Sequence, residues 1–474
     1  MALRISRLAL AGEYNNRLGV TTKDRRYKNV MFDISTNESG EKVVSVVKRP
    51  GMSESTAVTA AAGRGIYHFK SNIYTVIGNK LYKDGVQLGS NLTNSTGLVH
   101  FTEEHKTDLL IIQDGDKLIK TNGTTVTELT DAQIPTGQVD GIVNLNTYVL
   151  TMNSDGEIYN SDLDDVTNWT SGNFITAKFE PDDGVALLKS RNYVVALGAW
   201  STEFFYDAAN ASGSPLSPAE GRERAIGCAA GDTVYSEEDI AVWVSRTRTG
   251  ASQVVTLSGN DIKPLSTPEI DRILIQEETA LDAARAFGMR VSGHLLYVLT
   301  LPTLAITLVC DVETGLWGEW TSDPGTESYF TGIGYAYMDG KHYVLDEDNG
   351  KVYTMDFDIY QDDSNDINVE IVTSLWEGGK YDGNTARNKF LHRVTLIGDK
   401  QTSTSNVTFQ MTTDDYTTWS TARTIDMSKA VPSATQFGKL QRAGFRLQHA
   451  ANTPFRIQAL ELAYTLGGYE GGNA

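Results

Sequence analysis

Cysteine is almost absent: Cys228 and Cys310 are the two in 474 residues, and they lie 82 positions apart. That pair supplies neither a disulfide framework nor a metal-binding spacing, and free thiols point to folding in a reducing cytoplasm. Long apolar runs are missing too. The opening MALRISRLALAGEYNN carries Arg4 and Arg7 but no sustained apolar core, so no signal peptide is expected. The longest apolar stretch, Leu295 to Cys310, is broken by Thr300, Pro302, Thr303 and Thr307. It reads as two strands around a turn, so a soluble chain with no membrane-spanning segment is expected.

Positive charge is in deficit, with 41 basic residues against 60 acidic ones and a net charge of −19. Tight, static binding to nucleic acid relies on Lys and Arg displacing counterions, and this balance argues against it. An acidic wall is still compatible with duplex DNA that has to slide past without sticking.

Catalytic signatures are missing as well. No Gly-x-Ser-x-Gly elbow occurs, and the Gly-Lys pairs at Gly340, Gly350, Gly379 and Gly438 are followed by His, Val, Tyr and Leu, so no phosphate loop exists. His100 and His105 flank Glu103 and Glu104, but with no further ligand nearby they read as a solvated loop. Asp346-Glu347-Asp348-Asn349-Gly350 lacks the alternating ligands and distal Glu of an EF-hand, and reads as a strand-connecting turn. No catalytic residue, cofactor or metal site is expected.

What the chain does have is a repeated hairpin. An apolar strand, a Gly-Asn, Asn-Gly or Asp-Gly turn and a returning strand recur, best seen in Ile73-Tyr74-Thr75-Val76-Ile77 followed by Lys80-Leu81-Tyr82. Marking the units by Tyr74, Leu110, Tyr148, Tyr193, Val242, Leu296 and Tyr343 gives spacings of 36 to 54 residues, longer in the last three. A self-similar β unit at about 40–50 residues is the signature of propeller blades. A run of unrelated β-meanders is the plainer alternative. The 43 glycines suit a chain of many tight turns.

The predicted fold is all-β: a propeller of about seven blades with a helical insertion, followed by a C-terminal β-sandwich. Residues 1–55 form an N-terminal entry segment and 56–360 the propeller. Within it, Pro268 and Glu269 after Ser266-Thr267 start a helical insertion over 266–289, which Glu277-Glu278 divides. Residues 361–367 are a polar linker, 368–466 the sandwich, and 467–474 a flexible glycine-rich tail. Ile270, Ile273 and Leu274 exceed what a blade edge needs, so they are expected at a subunit interface, together with Trp376 and Tyr381 beyond the linker. Thr412 to Trp419 resembles a sialidase Asp-box, with Tyr416 where glycine is usual. That turn holds a hairpin and carries no catalysis.

In order along the chain, several segments resemble the tail nozzle or tail accessory factor (packaged-DNA stabilisation protein) of short-tailed bacteriophages. They are Lys48-Arg49-Pro50-Gly51, Arg64-Gly65-Ile66-Tyr67, Arg191-Asn192-Tyr193-Val194-Val195 with Ser201-Thr202-Glu203-Phe204-Phe205, Ala225-Ile226-Gly227, and Thr267 to Ile273. Leu308-Val309-Cys310-Asp311 and Phe437-Gly438-Lys439-Leu440 complete the series. The resemblance implies a non-enzymatic virion component, a homohexamer docked on a head-to-tail adaptor ring below the portal. Its partners would be a tail needle, plug or fibre protein and passing double-stranded DNA, contacted without sequence specificity. It would sit in the virion tail after assembly in the host cytoplasm. A propeller glycosidase or a glycan-binding receptor protein is the competing reading.

Overall fold

In the computed structural model, the described residues are 2–14, 25–36, 40, 42–56, 58, 60–89, 91–322, 328–379 and 387–469. They form two compact units. One comprises residues 54–306 and 331–355, and the other 1–53, 307–330 and 356–474.

The larger unit holds the blades. Four-stranded antiparallel sheets start at Gly63–Phe69, His100–Glu104, Val143–Leu145 and Gly184–Ser190, and the fifth blade is a five-stranded sheet centred on Ile240–Arg246. Arg285–Val291 with His294–Leu301, and Gly332–Met338 with Lys341–Asp346, begin the sixth and seventh. All seven sequence markers fall on the second strand of their blade. The turn leading into that strand contains a left-handed residue every time: Lys70, Asp108, Asn146, Arg191, Glu238, Ser292 and Asp339, with φ between 50° and 58°. This conformation closes short antiparallel hairpins with the right twist.

Blades bury both faces. In blade 4, Val194 and Ala196 pack with Val143, Leu150 and Ile158 of blade 3, while Val195 and Leu197 pack with Trp243 and Val255 of blade 5. Period-two alternation therefore sends successive apolar side chains to opposite neighbours, and full burial of each valine or leucine contributes about 1.5–3 kcal/mol. Ile66, Ile73 and Tyr82 of blade 1 pack against Ile333, Leu345 and Val352 of blade 7, which closes the ring. Arg64 reinforces the junction of blades 1 and 2. It is buried, pairs with buried Asp114, and donates to the carbonyls of Gly97 (2.7 Å) and Asn94 (3.0 Å).

Both cysteines are sealed in. Burial pushes the Cys228 thiol up to about 12 and Cys310 well above its ordinary value. Because the thiolate is the reactive form, the native chain should give no fast-reacting thiol with Ellman's reagent, and two after denaturation. One rapidly modified thiol in the native protein would contradict the packing around these residues.

The helix runs over Pro268–Glu277, and a 3-10 helix, Glu278–Ala283, follows it, so the division falls at Glu277-Glu278. The helical spacing read through to 289 is corrected, because Arg285–Val291 is a strand. Pairing with His294–Leu301 outweighs helical periodicity in that stretch.

The second unit interleaves the two ends of the chain. Arg4–Ala9 and Lys42–Lys48 both pair antiparallel with Arg456–Tyr469, which also pairs with Arg387–Gly398. A second sheet runs Leu316–Trp320, Arg26–Lys28, Val369–Val372, Gly444–His449, Asn406–Thr412, Arg423–Asp426. The boundaries expected from sequence therefore shift. Residues 1–53 are no separate entry segment but share this unit with the C-terminal strands.

The expected linker at 361–367 is a tight hairpin, Gln361–Asp362 with Asn365–Asp366, in which Asp362 pairs with Met52. Its polar composition misled because Asp362 is neutralised inside the fold. Arg49, 1% exposed, donates to Asp362 and to the carbonyl of Thr321 (2.8 Å) and stacks near Trp320 and Phe330. The tail starts later than 467, since Arg456–Tyr469 is one strand, and residues 470–474 lie outside those described.

Candidate functional site

A cavity of about 710 Å³ opens in the middle of the ring, walled by the first strands of blades 1 to 5. Its charged lining is mostly acidic, with Glu103, Asp140, Glu238 and Asp239 alongside Lys189 and Arg191. Arg191 is held by a two-pronged pair with Asp239 (2.7 and 2.8 Å), and Tyr67 donates to Glu103 (3.1 Å).

Three titratable groups meet on this wall. His100 begins the inner strand of blade 2, Asp140 precedes that of blade 3, and Asp232 lies in the 3-10 turn Gly231–Thr233 of blade 5. His100 Nε2 is 3.6 Å from Asp140 Oδ1 and 3.5 Å from Asp232 Oδ1. Burial lowers the His100 pKa, but the two carboxylates outweigh it and push it up to about 10. Glycine is needed where these strands approach, since a Cβ on Gly231 would lie 2.3 Å from Asp140 Oδ2. His105 does not join the group. It is exposed and lies 3.8 Å from Glu103. The solvated loop read from the sequence therefore describes His105 and not His100, which the strand carries into the wall.

The expected interface residues sit elsewhere, and most are internal. Ile270 and Leu274 are 0% exposed and Trp376 is 4% exposed. Ile273 is half-buried, and Tyr381 lies outside the described residues. The apolar helix face that looked surplus to a blade instead covers blade 5. There Asp271 accepts from Gln253 (2.9 Å), and Glu278 accepts from Ser252 (3.0 Å). Trp376 packs edge-on against Tyr464 in the second unit. Ile270, Leu274 and Trp376 cannot face a neighbouring subunit from a folded chain.

The Asp-box-like segment is a turn. Asp414 accepts from Thr418 N (3.0 Å) and Oγ1 (2.6 Å) and from Thr412 Oγ1 (2.8 Å), which holds its carboxyl down to about 2. Asp346 likewise caps its own turn by accepting from the backbone of Asp348 (2.9 Å) and Asn349 (3.1 Å).

With ring, cavity and turns in place, comparison with known families decides the relationship. A family model described as Phage_stabilise, Bacteriophage P22 Gp10, beta-propeller, matches residues 28–360. The chain belongs to this family. Membership in Phage_stabilise supports a structural, stabilising role in a phage particle and a non-enzymatic protein. The match ends before the C-terminal strands.

Among solved structures, the chain is similar to the N-terminal domain of Nup159. The identity is 11% and the TM-score 0.39, covering 70% of this chain and 98% of that one. It is also similar to BamB from Moraxella catarrhalis, at 10% identity and a TM-score of 0.37, covering 68% and 95%. No curated protein matches. Among the described residues, no helix is long and apolar enough to cross a membrane.

Proposed function

We propose that the chain is the ring-forming nozzle subunit of a short phage tail. Six copies dock under the adaptor ring below the portal, continue the DNA channel, retain the packaged genome and pass it at ejection. The distal end carries a needle, plug or fibre protein, and assembly takes place in the host cytoplasm. The family match over residues 28–360 is the observation that carries this reading.

Charge supports it. At a net −19, the chain repels a duplex rather than gripping it, which suits a conduit. Head-to-tail contacts that close only at the correct rotation suit a ring of this kind. On the helix, the surface left for such contacts is the outward side, where Ile275 is 50% exposed.

Particles made without this chain are expected to fill and then leak DNA. Purified protein added to portal–adaptor complexes should be captured as a ring of six, countable in negative-stain class averages. Particles that keep their genome without the chain would sink the retention role, and failure of capture on intact portal–adaptor complexes would sink the placement.

A further inference from the structure

We propose that His100, Asp140 and Asp232 form a binding site for one divalent transition-metal cation, clamping blades 2, 3 and 5 around the central cavity. The three groups come from three separate blades, and one donor atom from each can be chosen so that all lie within 4.8 Å of one another.

The distances fit a cation better than they fit direct contact. At 3.5 and 3.6 Å from the histidine nitrogen, the carboxylate oxygens stand beyond a good hydrogen bond. His100 Nε2 and Asp232 Oδ1 are both sealed from solvent, and neither has a hydrogen-bond partner. Leaving buried polar atoms in this state is unfavourable. A cation bonded at about 2.0–2.2 Å to each donor sets tetrahedral donor–donor edges of about 3.4 Å, close to the two spacings seen. It would replace these long contacts with direct bonds to both atoms.

Charge and architecture agree with this. A divalent ion with two carboxylates and a neutral imidazole is electroneutral, which suits a wall already crowded with acids. Gly231 keeps the path to Asp140 open, since any side chain there would occupy the space of that carboxylate. The donor set, one imidazole nitrogen with carboxylate oxygens, favours Zn²⁺ and its first-row neighbours over Ca²⁺ or Mg²⁺, which take all-oxygen shells. A water would complete a four-coordinate shell.

The test titrates chelator-stripped full-length protein with ZnCl₂ by calorimetry, and with CoCl₂ by visible absorption. One zinc per chain is expected, with the ligand-field bands of a low-symmetry cobalt site. His100→Ala and Asp232→Asn should each weaken zinc binding at least about 100-fold and remove the cobalt bands, while His105→Ala leaves both unchanged. Circular dichroism of each variant checks the fold. If His100→Ala fails to fold, Asp232→Asn alone decides. No stoichiometric zinc binding by the native chain, which is the result if the imidazole simply keeps its proton, overturns the proposal. So does zinc affinity that Asp232→Asn leaves unchanged.

Discussion

Arg49→Met is expected to cost about 3–5 kcal/mol, read as an early loss of the second unit's transition in chemical denaturation. The variant strands Asp362, a residue 7% exposed, with its guanidinium partner gone. It also strips donors from the carbonyls of Thr321 and Pro50 and from Asn29 Oδ1, which accepts from Arg49 Nε at 3.0 Å. Arg49→Lys should rescue little. A point charge on a flexible stem cannot serve Asp362, Asn29 and Thr321 together, nor lie over Trp320 and Phe330 as a planar cation does. The double variant Arg49→Met with Asp362→Leu should recover most of the loss, since two apolar groups need no pairing. If Arg49→Met melts with the wild type, this ion pair does not hold the unit together.

Ile270→Asp should be at least as damaging, at about 4–5 kcal/mol, because it places an unpaired charge where the wild-type side chain is 0% exposed. Ile275→Asp, further along the same helix and half exposed, should stay within about 0.5 kcal/mol of the wild type. The pair separates folding from assembly. A loss of ring incorporation in Ile275→Asp, with an unchanged melt, places the helix at a subunit contact. The same loss in Ile270→Asp reports only a broken core. Equal melting of the two variants would mean that the helix does not cover blade 5.

Blade order was legible in the sequence because the information is local. Strand, turn and returning strand follow one another directly, and the turn residues declare themselves by composition, as at Gly78-Asn79 and Asp84-Gly85. The motifs Lys48-Arg49-Pro50-Gly51 and Arg64-Gly65-Ile66-Tyr67 were visible as text, and the structure gives each a buried arginine with a distant acid. Those acids, Asp362 and Asp114, could not be chosen by inspection from 60. An apolar helical face signals burial without naming what it is buried against, so Ile270 and Leu274 were read as surface. The triad on the cavity wall was invisible for the same reason: its members share no local spacing and meet only once the ring closes.

The pairing of the chain's two ends has a consequence for how the protein is made. Arg4 lies opposite Tyr464, and Arg49 bonds an acid 313 positions away. Contacts of such sequence separation are slow to form, since a very long loop must close before they return anything. On the ribosome, residues 1–53 emerge long before the strands that complete their sheets exist. Their open strand edges must be kept from pairing with other nascent chains until Arg456–Tyr469 has been made. Late completion also makes this unit a proofreading step, because a chain truncated before residue 456 lacks the strand on which both Arg4–Ala9 and Lys42–Lys48 pair.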